Sequence, residues 1–148
     1  MSGRLVKLAI RVLDSLPGLP RRTESKSEHL RIGRQGEEEA YFHLRTLGYV
    51  MVARNYRTQH SRSELDMVGW DGDVLCFIEV KTRTSRDAYP AESAVDDDKR
   101  RDLSRVARAF LRKIHEQPHF RFDIVSVYFH NGGQEPEIEL RKNAFEMA

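Results

Sequence analysis

Residues 63–83, SELDMVGWDGDVLCFIEVKTR, constrain the fold more than any other stretch of the chain. Two runs of β-forming residues flank the turn Asp71-Gly72-Asp73, which predicts an antiparallel hairpin. Charge interrupts the apolar pattern in both runs. Glu64 and Asp66 are two residues apart and so project from one face of the first strand. In the second, Cys76, Ile78 and Val80 point one way while Phe77, Glu79 and Lys81 point the other. A carboxylate and an ammonium group inside so apolar a strand must be paired, bound to a cation or opened to a cleft, because burying either alone is too costly. Since the hairpin sets the strands side by side, Asp66, Glu79 and Lys81 are predicted to lie within one side-chain reach.

The remaining periodicities predict an α/β fold around that hairpin. Ala40, Tyr41, Leu44 and Leu47 recur at helical spacing, and Glu37, Glu38 and Glu39 fall in a first turn where the helix dipole favours acids. Gly48 stops this helix. Glu37 forms an i, i+3, i+4, i+7 set with Ala40, Tyr41 and Leu44, so it is expected on the buried stripe, with Glu38 and Glu39 pointing elsewhere. A strand over YVMVARNYR precedes the hairpin. After it come a loop containing Pro90, a helix over about 96–116, a strand over RFDIVSVYF, a turn, and IELRKNAF as a short fifth strand or tail. The predicted order is α-β-β-β-α-β, a mixed sheet flanked by helices. This domain spans 30–148. Residues 1–29 read as an appendage: a basic amphipathic helix over 4–16 and a linker. Such a helix has the make-up to lie on a membrane or dock on a protein, although packing on its own domain is the simpler expectation.

Charge and cysteine usage narrow the setting. The single cysteine, Cys76, has no partner for an internal disulfide, and no apolar run is long enough for a spanning helix. The first residues carry charges within their apolar stretch and are not read as a signal peptide, so a cytoplasmic location is expected. The net charge of +2 hides an imbalance: residues 1–32 hold seven Lys and Arg against three Asp and Glu, the remainder eighteen against twenty. An acidic body with local basic strips suits a molecule that binds cations in one place and phosphates in another.

Carboxylates converging on one point repel unless a cation neutralises them, and hard oxygen ligands partly open to water suit Mg²⁺ or Mn²⁺. A lysine beside such an ion can orient or deprotonate an attacking water and stabilise charge on phosphorus. Alone, each feature has an ordinary explanation: a cross-strand salt bridge for Glu79 and Lys81, a solvated edge for Glu64 and Asp66, a helix N-terminal charge for Glu37. Their joint arrangement favours a phosphodiesterase site. The predicted helix over 96–116 adds Arg101, Arg105, Arg108 and Arg112 along the side opposite its apolar stripe, a pattern suited to a nucleic-acid backbone. Lys99 lies nearer the inner face, so it is expected either on that backbone or toward the acidic cluster.

The order Glu, then Asp, then Glu-X-Lys resembles the PD-(D/E)XK nuclease superfamily and its restriction-endonuclease-like fold. More closely, GRQGEEEA, GYVMVARNYR, SELDMVGWDGDVLCFIEVKTR, AESAVDDDKRRDL, RFDIVSV and KNAF, covering roughly residues 33–146, resemble the YraN family of endonuclease-like proteins, which are similar to archaeal Holliday junction resolvases. The resemblance implies metal ligands at Asp66 and Glu79, a catalytic lysine at Lys81 and a helical glutamate at Glu37, with Glu64 at a position characteristic of the family. A lysine of the family also aligns with Lys99. Ser63 and Leu65 depart from the family's usual Gly-Glu-Ile-Asp. The activity implied is metal-dependent cleavage of DNA, in preference to RNA and including branched or structured DNA; the alternative is a nucleic-acid-binding module without turnover. By the same analogy the chain would act as a homodimer.

Overall fold

The computed structural model describes residues 24–84 and 95–148. The expected helix over 4–16, the linker after it and the loop containing Pro90 lie outside the described residues. The chain separates into two compact units, Met1–Ile32 and Gly33–Ala148. Among the described residues, no helix is long and apolar enough to cross a membrane.

The elements follow as α1 (Glu24–Thr46), β1 (Val50–Arg57), β2 (Glu64–Asp71), β3 (Val74–Arg83), α2 (Asp97–Leu111), β4 (His119–Tyr128) and β5 (Glu137–Phe145). The segment expected to be a short fifth strand or tail is a nine-residue strand. The five strands form one sheet in chain order. β1, β2 and β3 pair antiparallel, β3 pairs parallel with β4, and β5 returns antiparallel. The β2–β3 turn is tight because Gly72 takes a φ of 59°, a conformation that side chains resist. The parallel step from β3 to β4 requires a crossover, and α2 lies on that connection.

Each face of the sheet has its own core. Phe77, Leu103, Val106, Ala107, Phe122 and Phe145 are among those packing on the α2 side, and Phe122 stacks on Phe145 with ring centres 4.6 Å apart. Ala40, Leu44, Met67, Cys76, Ile78 and Val127 pack on the α1 side. Burying a side chain such as Phe77 or Leu103 contributes about 1.5–3 kcal/mol. α2 is shorter than expected. Its apolar spacing runs on to Ile114, but Lys113 N and Ile114 N donate to carbonyls three residues back, Phe110 O and Leu111 O, so the coil tightens and ends.

Candidate functional site

β2 and β3 begin as a regular hairpin and then part. Their ladder runs from Asp71–Val74 to Met67–Ile78, beyond which Val80 N donates to the Asp66 carboxylate, 2.7 Å to Oδ2. A side chain thus takes the place of the backbone partner that a continuing ladder would supply. Strand alternation breaks at the same level. Leu65 and its β1 partner Tyr56 pack on the α2-side core, as Val68 and Ala53 do, although strict alternation would turn them to the other face. Asn55, between Ala53 and Tyr56, absorbs the change with a φ of 50°, a conformation that asparagine tolerates.

The charged residues gather at this parting. Glu79, only 6% exposed, has one oxygen crowded and the other bare. Lys81 Nζ is 3.3 Å and Lys99 Nζ 3.5 Å from its Oε1, while its Oε2 is buried without a hydrogen-bond partner. Burial, followed by the charge of Glu79, pushes the Asp66 carboxyl up to about 8, against the opposing pull of the Val80 N–H. Glu37 is also raised, first by burial and then by Glu64, with Arg54 working against both. Glu64 sits opposite Arg57 in the β1–β2 register and is ion-paired with it.

Asp66, Glu79 and Lys81 therefore come together, and Lys99 joins them from the first turn of α2. Glu37 and Glu64 act on the cluster through their charge. Glu37 is half-buried and not on the buried stripe as expected: Gly36, Glu39, Ala40 and Leu44 are the buried positions, which leaves Glu37 on the flank. The expectation for Glu39 is corrected too, since it is buried against the domain. Among the described residues, no three His, Cys, Asp or Glu side chains form a ready-made metal cage. Asp66 and Glu79 are a two-carboxylate set, which suits an ion such as Mg²⁺ that keeps several waters and takes further oxygens from a substrate. The Asp66 and Glu79 carboxyls crowd each other closely enough that Asp66 holds its proton toward Glu79, and a cation taken up between them would replace that shared proton.

Arg101, Arg105 and Arg108 of α2, and Arg112 at its C-cap, are all exposed. Three of them have partners: Arg101 pairs with Asp98 at 3.0 Å and Arg105 with Asp102 at 3.7 Å, while Arg108 donates to the Ala148 carbonyl. Exposed pairs of this kind are weak and exchange readily for a phosphate. Asp102 also accepts from Ser63 Oγ at 3.2 Å, tying the β1–β2 loop to α2.

Two features escaped sequence reasoning. A Cβ on Gly36 would lie 2.0 Å from Thr82 Oγ1, so this glycine lets α1 close directly onto β3 one residue from Glu37 and beside Lys81. Its signal was a glycine inside a run of good helix formers. The second is a network that reaches from the hairpin turn at Asp71 to Asp123, the β4 partner of Ile78. Asp123, fully buried, accepts from Tyr49 Oη at 3.2 Å, Arg121 Nε at 2.8 Å and Asn143 N at 2.9 Å. Arg121 Nη2 and Lys142 Nζ both reach Asp71 Oδ2, at 2.6 and 2.9 Å. A charged pair inside RFDIVSV was the available hint.

The profile of the Uncharacterised protein family UPF0102 matches residues 36–127, which contain the whole cluster. A UPF0102 protein of Koribacter versatilis (strain Ellin345) is 56% identical over 139 residues, 94% of this chain and 93% of that protein. One from Solibacter usitatus (strain Ellin6076) is 47% identical over 114 residues, covering 76% of this chain and 84% of the relative. A more distant one, from Porphyromonas gingivalis (strain W83), is 42% identical over 119 residues, covering 80% and 87%.

Proposed function

The chain belongs to the UPF0102 family, and from its site we propose that it is a divalent-metal-dependent nuclease that hydrolyses DNA phosphodiester bonds. The observation that carries this reading is the crowding of two buried carboxyls, Asp66 and Glu79, with no N–H donor on Glu79 Oε2 and the Lys81 ammonium on its Oε1. Asp66 and Glu79 would hold Mg²⁺ or Mn²⁺, which when bound supplies a positive centre for a phosphate oxygen and acidifies water. As an ammonium, Lys81 would orient the attacking water and shield the charge growing on phosphorus. Glu37 and Glu64 orient water at the flanks. The exposed arginines of α2 grip the backbone without reading sequence.

The sequence resemblance to YraN proteins and PD-(D/E)XK nucleases supports the same reading, as does a mixed sheet with the acidic and lysine residues at one hairpin. It extends the proposal to a restriction-endonuclease-like fold, to branched or structured DNA as substrate, and to a homodimer acting in the cytoplasm. The test is incubation with four-way junctions, flaps and duplexes in Mg²⁺ or Mn²⁺. Cleavage by the wild type that disappears in Asp66→Ala and Glu79→Ala is the expected result. Tight binding of the same DNAs with no cleavage by the wild type would instead make the chain a binding module.

A further inference from the structure

Lys99 is an unexpected residue for the first turn of a helix. Asp96 caps α2, accepting from Lys99 N at 2.8 Å, and Asp97 and Asp98 follow as the dipole favours. A cation in that turn works against the dipole, so the contact of Lys99 with Glu79 must offset the conflict. The two lysines on Glu79 Oε1 are also unequal. Lys81 comes from the same strand two residues on, and its side chain is 18% exposed; Lys99 comes from another element and is 32% exposed. Both have flexible four-carbon stems, but Lys81 is the more enclosed and leaves the same strand as Glu79, whereas the more exposed Lys99 has the wider solvent space to swing into.

We propose that Lys99 is the exchangeable counter-ion of the site, a positioning residue that neutralises Glu79 until a divalent cation arrives and then turns to the phosphate of a bound nucleic acid. The inference rests on the reading of Asp66 and Glu79 as metal ligands. Without a cation, two ammonium groups balance a cluster whose carboxylates crowd one another. With a cation on Glu79 and Asp66, a second ammonium 3.5 Å from a ligand oxygen becomes a like charge close to the ion. It is then expelled toward solvent, at the end of the helix that also carries Arg101 and Arg105. Cation and nucleic acid would reinforce each other reciprocally through this one side chain.

The test uses the full chain stripped of metal, and Mn²⁺ alone as the probe. Removing the competing charge in Lys99→Gln should tighten Mn²⁺ binding by roughly tenfold in calorimetric titration, while Lys99→Arg stays within about twofold of wild type. The metal-free melting temperature of Lys99→Gln should fall, and Mn²⁺ should raise it more than it raises that of the wild type. A purely structural lysine would lower stability and leave Mn²⁺ affinity unchanged or weaker, which overturns the proposal. A second readout needs no variant: amine-specific labelling of wild type followed by mass spectrometry. Lys99 should label several-fold faster with Mn²⁺ present and Lys81 should not; equal or slower labelling of Lys99 also overturns it. Wild type that binds no Mn²⁺ would defeat the metal-site reading itself, whereas Mn²⁺ binding that depends on Asp66 and Glu79 but ignores Lys99 defeats this inference alone.

Discussion

Two knots of charge lie along the β2–β3 hairpin, one reaching from its turn at Asp71 to Asp123 and the other at its parted end, and the two are finished differently. Around Asp123 each acceptor has its donor: Tyr49, Arg121 and Asn143 surround one carboxylate, while Arg121 and Lys142 share Asp71. Those hydrogen bonds hold the Asp71 carboxyl below its ordinary range, the Arg121 bond foremost. At the parted end, Asp66 is pushed up and Glu79 keeps an oxygen with no donor. Polar groups that satisfy one another tie β2, β4 and β5 together and have little left for a ligand. It is at the groups left in surplus that we propose a cation binds.

The sharpest way to break this contrast is to remove one acid from each knot. Asp66→Ala should lower the initial rate of DNA cleavage by on the order of 10³-fold, with Asp66→Asn melting no lower than wild type in the absence of metal. Asp123→Ala should do the reverse, costing about 3–5 kcal/mol in urea unfolding because it leaves Arg121 partly buried beside an empty acceptor site. Equal losses of stability would make both knots structural. Gly36→Ala comes next, at about 1–3 kcal/mol, since its methyl group must push Thr82 aside; a drop in cleavage beyond the drop in stability would show that α1 sets the site's spacing.

Titration sharpens the comparison further. A carboxyl whose folded value lies above its unfolded value binds protons more tightly when folded, so its ionisation opposes folding. The Asp66 contribution should therefore make metal-free protein lose stability as pH rises from about 4 to about 8. Saturating Mn²⁺ should flatten or reverse that slope, and Asp66→Asn should remove it; melting curves across this range check both. Asp71, which is depressed, adds a slope of the opposite sign at acid pH that fades as pH falls through its folded value. The smallest effect belongs to the surface. Arg101→Ala with Arg105→Ala should weaken duplex binding about equally for all sequences and make the plot of log affinity against log salt shallower by about 1 per arginine.

Much of this was readable from spacing alone. The hairpin announced itself because period-two patterning and an Asp-Gly turn are local signals, and the same patterning put Asp66, Glu79 and Lys81 together. Helix phase was read less well. Placing Glu37 on the stripe required knowing which side of α1 meets β3, and that is decided by Gly36 against Thr82, residues far apart in the chain. The end of α2 was missed because Ile114 keeps the apolar spacing after the backbone has tightened, and it still packs on the core. The Asp123 network was invisible for a similar reason: its partners come from β2, β4, β5 and the turn after α1. Nor does any local pattern show that two strands will separate midway.

That separation has a consequence for how the site persists. The acid proposed to grip a cation also takes the Val80 N–H, the first on β3 beyond the ladder with β2. With that N–H engaged by a carboxylate in place of a β2 carbonyl, the spacing of the two strands here is set by a side chain. Asparagine, which keeps an acceptor, would preserve the gap while discarding the charge; alanine would surrender both. If Asp66 holds a cation as proposed, the residue that spaces the two strands is also the one that binds the ion.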